Sequence, residues 1–100
     1  MKLLSYKLSK KADFDLEEIF EHTEITYGYE QAIFYLTHLE NLFENLVLQP
    51  EIGRQRNQIK KGLFSITEQE HTIFYRIFES NIRIVRVLHG RRDLARNFKN

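Results

Sequence analysis

The sequence predicts an α+β fold, with a helical hairpin packed on one face of a mostly antiparallel four-stranded sheet, in the order β-α-α-β-β-β. Three observations carry this. Apolar residues recur at helical spacing through the first half of the chain, and the period changes to two after Gly62. The connections are also so short that successive elements must run antiparallel to one another. One hundred residues suffice for one core, so a single domain over residues 1–100 is expected.

The elements follow in order. Residues 3–8 alternate apolar and polar and read as a short strand whose partner the sequence does not reveal. Ser9 suits an N-cap, and from Lys10 the residues Ala12, Leu16, Ile19, Phe20 and Thr23 fall on one helical stripe. Asp13, Asp15, Glu17 and Glu18 stand early in that helix, where acids favour the positive end of its dipole, and are read as a solvated face. Tyr27-Gly28 closes it, because glycine tolerates the backbone needed just past a helix end. A second stripe follows at once through Ala32, Leu36, Leu39, Phe43 and Leu46, widened by Ile33 and Val47, and Pro50 stops it. Two amphipathic helices joined so tightly form an αα-hairpin. Residues 50–53 read as a turn and residues 54–61 as a polar, basic connection. Strands are expected at 62–67, 71–78 and 82–88, separated by turns at 68–70 and 79–81.

Composition narrows the function. Cysteine is absent, which excludes disulfides, thiolate metal sites and a cysteine nucleophile and fits a reducing cytoplasm. No run approaches the roughly 20 apolar residues of a membrane helix, so a cytoplasmic protein with no membrane partner is expected. The net charge of +1 conceals a split: residues 1–50 carry nine acids against four lysines, and residues 51–100 carry eleven Lys and Arg against five acids. Such asymmetry points to an acidic partner or nucleic acid for the basic half, or to two solvated faces.

Motifs for phosphate loops, nucleophile elbows and zinc-binding His pairs are missing. His22 and His38 stand on different helices without companion ligands and are expected to face solvent, so neither a metal nor a cofactor is predicted. His71 opens one expected strand and His89 ends the next, so a hairpin brings both to one end of the sheet. With Arg76, Arg83, Arg86, Arg91 and Arg92 they suggest a basic surface, suited either to RNA phosphate beside a proton-moving His or to an acidic protein segment.

At this point a resemblance enters. The run His71-Thr72-Ile73-Phe74-Tyr75-Arg76, followed by residues 82–93 with Arg86-Val87-Leu88-His89-Gly90-Arg91-Arg92-Asp93, resembles the C-terminal half of ParE toxins of the RelE/ParE toxin–antitoxin superfamily. Ala12, Asp15, Leu16 and Ile19, Tyr27-Gly28, Ala32, Leu36 and the link at 49–54 agree with it, so the likeness covers nearly the whole chain.

The resemblance implies the fold derived above and one half of a type II toxin–antitoxin pair. On this reading the chain is a non-catalytic poison of DNA gyrase, held in a hetero-oligomer by a cognate ParD-like antitoxin, with no sequence-specific DNA binding of its own. Target contact is expected at His89, Arg91, Arg92, Arg96 and Phe98, and antitoxin contact at Arg76, Arg83 and Arg86. The alternative is a RelE-like ribosome-dependent mRNA endoribonuclease, with His89 as acid or base and Arg76, Arg83 and Arg86 on phosphate. No Tyr follows Tyr75, and Phe98 cannot move a proton, which weighs against that alternative.

Overall fold

Ser9 organises the first junction of the chain. Its hydroxyl oxygen accepts the Ala12 N–H at 2.9 Å, capping the helix that follows, and donates to the Val85 carbonyl at 2.8 Å. One side chain thus ends strand β1 (Ser5–Leu8), starts helix α1 (Lys10–Tyr27) and fixes both to the last strand. The computed structural model describes residues 5–90. Gly28, at φ 103° and ψ 165°, turns the chain into α2 (Tyr29–Leu48) without an intervening loop. This backbone region is essentially reserved for glycine.

A 3-10 turn at Pro50–Ile52 leads to a two-residue strand, β2 (Arg54–Gln55), and then to the meander β3 (Leu63–Glu68), β4 (His71–Ile77) and β5 (Asn81–His89). The sheet therefore has five strands, in the order β1-β5-β4-β3-β2. The expected count of four missed β2, because two exposed polar residues carry no alternation to read. β1 lies parallel beside β5, and the other pairs are antiparallel.

Both helices cover one face of this sheet. Leu39, Phe43 and Leu46 of α2 meet Ile73, Tyr75, Ile82 and Ile84 of the sheet, all fully buried. Each such side chain contributes about 1.5–3 kcal/mol on leaving water. Ile33, expected in this core, is instead exposed, on the flank of the α2 stripe. Tyr75 also anchors the link, donating to the Pro50 carbonyl at 2.7 Å and accepting the Gly53 N–H at 3.0 Å. Gly53 is packed so closely that a Cβ there would lie 2.3 Å from the Tyr75 hydroxyl.

The β4–β5 register slips once. Phe74 faces Arg86 and Tyr75 faces Ile84, which leaves Val85 as a bulge. The bulge re-aims Arg86 toward the helices, where Nε and Nη2 donate to Asp15 at 2.9 and 3.0 Å. The Val87 N–H donates to the same carboxylate at 2.9 Å. Asp15 is therefore buried, which corrects its reading as part of a solvated acidic face. The pairing pushes the Arg86 guanidinium up from its ordinary range: the hydrogen bond to Asp15 outweighs burial, and the charges of Asp15 and Glu18 add to it.

Candidate interaction surfaces

Strand register decides which side chains face away from the helices. Ile73, Tyr75, Ile82 and Ile84 lie in the core, so Arg76 and Arg83, one step out of phase and paired with each other, lie on the outer face. Lys7 stands beside Arg83, between the core-facing Tyr6 and Leu8. Arg54 pairs with Ser65, and Arg56 follows two residues later on the same side. The outer face thus carries Lys7, Arg54, Arg56, Arg76 and Arg83. All nine acids of the first half lie on α1 and α2, and every one except Asp15 is exposed. The charge split along the sequence is a split between two sides of the molecule.

Arg76 and Arg83, expected to meet the antitoxin, belong to this face, and Arg76 also lies over the Phe78 ring at 5.5 Å. Arg86, placed with them from sequence, is turned the other way into its pair with Asp15. Lys7, Arg54 and Arg56 were not singled out from sequence. The i, i+2 spacing of Arg54 and Arg56 was a signal for one face of a strand, masked by the loop-like composition around it.

The second surface is a set of exposed apolar residues about the α1–α2 turn, among the acids of the helical layer. Ile25, Tyr27, Tyr29 and Phe34 are 80%, 71%, 61% and 65% exposed, and Phe14 joins them lower on α1. Phe20 packs edge-on against Tyr29 across the turn, at 6.0 Å between centroids. Exposed aromatic and aliphatic groups gathered on one element mark a protein contact site.

His71 and His89 do meet at one end of the sheet, as expected. They are register partners, with ring centroids 5.3 Å apart. They line a cleft of about 510 Å³ between α1, α2 and the β4–β5 end, shared with Asp15, His22, Tyr35 and Glu70. The Tyr35 hydroxyl lies 2.6 Å from His71 Nδ1. Burial, with Glu68 and Glu70 adding to it, pushes the Tyr35 phenol up to about 12, so it keeps its proton. Burial and then His89 lower the His71 pKa, with His22 adding slightly and Glu70 opposing. The protonated phenol and His71 Nδ1 share one hydrogen bond, whose direction follows the histidine tautomer. His89 donates to Glu70 at 3.0 Å, with both side chains largely in solvent. Of the two helix histidines expected to face solvent, His22 is exposed and His38 is partly exposed, its Nε2 paired with Glu68.

Among the described residues, His89 stands apart from two of the arginines weighed with it as a nuclease set. His89 and Arg83 lie six residues apart on β5, about 20 Å at strand rise, and Arg76 pairs with Arg83 at the far end. Arg91, Arg92, Arg96 and Phe98 lie outside the described residues. Among the described residues no group of three or more His, Asp or Glu side chains could hold a metal ion, and no helix is long and apolar enough to cross a membrane.

The geometry defines a small two-layer domain with two contrasting contact surfaces, one cationic and one apolar. Comparison with known proteins supplies the family. The sequence model described as "ParE toxin of type II toxin-antitoxin system, parDE" matches residues 6–94, and the chain belongs to this family. Among its relatives, Toxin ParE1 of Mycobacterium tuberculosis is 40% identical over 93 residues, 92% of this chain and 95% of that protein. Toxin ParE1 of Caulobacter vibrioides is 32% identical over 84 residues, 84% and 86% of the two chains. In fold, the chain is similar to a solved structure described as "Chromosomal ParDE TA system from P. aeruginosa". The TM-score is 0.78 at 22% identity, over 91% of this chain and all of that one.

Proposed function

We propose that this ParE toxin arrests growth by gripping a protein, DNA gyrase, without catalysing a reaction of its own, and that a ParD-like antitoxin neutralises it in a hetero-oligomer. The observation that favours binding over cleavage is the separation of His89 from Arg76 and Arg83, with Arg86 committed to Asp15. Catalysis of phosphodiester cleavage needs its acid, base and charge stabilisers within reach of one phosphate. The antitoxin covers the exposed apolar residues about the α1–α2 turn with an amphipathic segment and meets Arg76 and Arg83 with acidic side chains. His89, with Arg91, Arg92, Arg96 and Phe98, faces the gyrase.

Two assays, one on gyrase and one on mRNA, test this. Purified gyrase incubated with the toxin should accumulate cleaved DNA, while ribosome-bound mRNA stays intact, and His89→Ala should weaken the gyrase effect without abolishing it. Fragmented mRNA that disappears in His89→Ala, with gyrase untouched, would overturn the proposal in favour of the nuclease.

A further inference from the structure

Phe74 stands on the middle strand of the sheet, on the side away from the helices, and is nevertheless 0% exposed. Its chain neighbours Ile73 and Tyr75 point into the core, so its own side chain points the other way. Thr72 beside it, and Leu63 and Ser65 on the next strand, share that outer side and are buried too, at 3%, 0% and 5%. Neither Phe74 nor Leu63 joins the cluster packed beneath the helices. An uncovered face of an antiparallel sheet is solvated, and the rim of this one is: Lys7, Arg54, Thr67 and Arg83 are exposed. The centre of the outer face is therefore roofed by something other than the two helices.

The exit of the chain from β5 points to the cover. Gly90, at φ 70°, turns the backbone at the end of the strand. Its carbonyl accepts the hydroxyl of Thr72, on the outer side, at 3.4 Å. The chain thus leaves the sheet beside Thr72, about 7 Å along β4 from Phe74. Ten residues follow Gly90, enough for about 15 Å of helix, and the stretch of β4 from Thr72 to Arg76 is about 13 Å. Leu94 and Phe98 are four apart and share one helical face, while Arg92 and Arg96, also four apart, fall about 200° around from them. Residues 1–4 are placed less well, because β1 runs parallel to β5 and begins opposite Asn81, at the other end of that strand. We propose that residues 91–100 fold back across the outer face, with Leu94 and Phe98 seated over Phe74 and with Arg92 and Arg96 turned outward beside the cationic rim. The docking does not depend on the toxin reading. That the displayed arginines meet gyrase does, and Phe98 then contributes to that contact as the anchor that holds them in place.

Nuclear Overhauser contacts in the full chain test this, measured on a sample that mixes labelled and unlabelled copies. The Phe74 ring should show contacts to Leu94 and Phe98 within one molecule. A soluble paramagnetic agent should relax the Phe74 ring weakly in the parent chain and several-fold faster in the double variant Leu94→Asp, Phe98→Asp. Replacing the outward pair, Arg92→Ala with Arg96→Ala, should leave both readouts unchanged. The proposal is overturned if the parent chain shows no contact from Leu94 or Phe98 to Phe74. It is overturned equally if those contacts run between copies, which would make a second molecule the cover, or if Phe74 stays protected in the double variant. A chain that leaves gyrase untouched does not alter these measurements, so the two readings fail separately.

Discussion

Asp15 holds three donors with one carboxylate, and removing it takes that acceptor from all three at once. Asp15→Ala leaves the Arg86 fork and the Val87 N–H without their acceptor in a site where Asp15 is 7% and Arg86 17% exposed. Breaking a buried pair from one side costs about 3–5 kcal/mol, and urea unfolding near neutral pH should show a loss of that size. Asp15→Asn retains an acceptor for Val87 and should lose less; equal stability of the two variants would argue against the Val87 bond. His71 gives a prediction in pH. Burial holds its pKa below the ordinary 6.5, so the unfolded chain takes up a proton first. Its contribution is fully present above about pH 6.5 and is lost as pH falls toward the lowered folded-state pKa. His71→Gln should therefore lose less stability than the parent chain between about pH 7.5 and about pH 5.5. Parallel curves for the two proteins would mean that this histidine is not responsible.

At the level of elements, the helical hairpin turns on a single backbone position. A Cβ at Gly28 would meet nothing within 4 Å, so Gly28→Ala creates no clash and isolates the backbone term. Holding alanine at φ 103° and ψ 165° should cost about 1–3 kcal/mol, read as a shift in the denaturant midpoint with unchanged slope. A wild-type midpoint would show that the turn relaxes freely. This junction was legible in sequence, because Gly28 falls between two stripes of helical period and Ser9 precedes the first. The three meander strands were legible for a similar reason: their period of two is dense in β-branched and aromatic residues. β2 was not, since Arg54 and Gln55 bury nothing and pair through backbone alone. The partner of β1 was hidden too, because parallel pairing with β5 spans nearly the whole chain and leaves no local trace. Asp15 and Tyr35 were half visible. Both fall on the apolar stripes of their helices, a position that asks what a polar group does there, but the answer for Asp15 depends on a bulge at Val85 and that for Tyr35 on His71 across the layers, neither of which residue order announces.

Across the whole molecule, charge is sorted by layer. The helical layer presents the acids and the outer sheet face presents Lys7, Arg54, Arg56, Arg76 and Arg83, so a net charge of only +1 hides a strong dipole. That the halves of the chain differ in charge was plain from sequence; that they become opposite faces required the register. The consequence is orientational. The shortest dimension of the molecule is 21 Å, about two Debye lengths at 0.1 M salt, so an acidic partner approaching the sheet scarcely feels the helices behind it. Long-range attraction acts on the encounter and shows in the association rate. Reversing Arg76 and Arg83 together to Glu should slow association with the neutralising partner about tenfold at low salt, with a much smaller change in dissociation. Reversing Glu40 and Glu44 of α2 to Lys alters the net charge by the same amount in the opposite sense, yet should change that rate by no more than about twofold, because those charges lie on the screened side. Stopped-flow measurements over a range of salt would separate the two cases, since the sheet variant should converge on the parent chain as ionic strength rises. If the helix variant speeds association as much as the sheet variant slows it, net charge governs the encounter and the layered arrangement does not steer it.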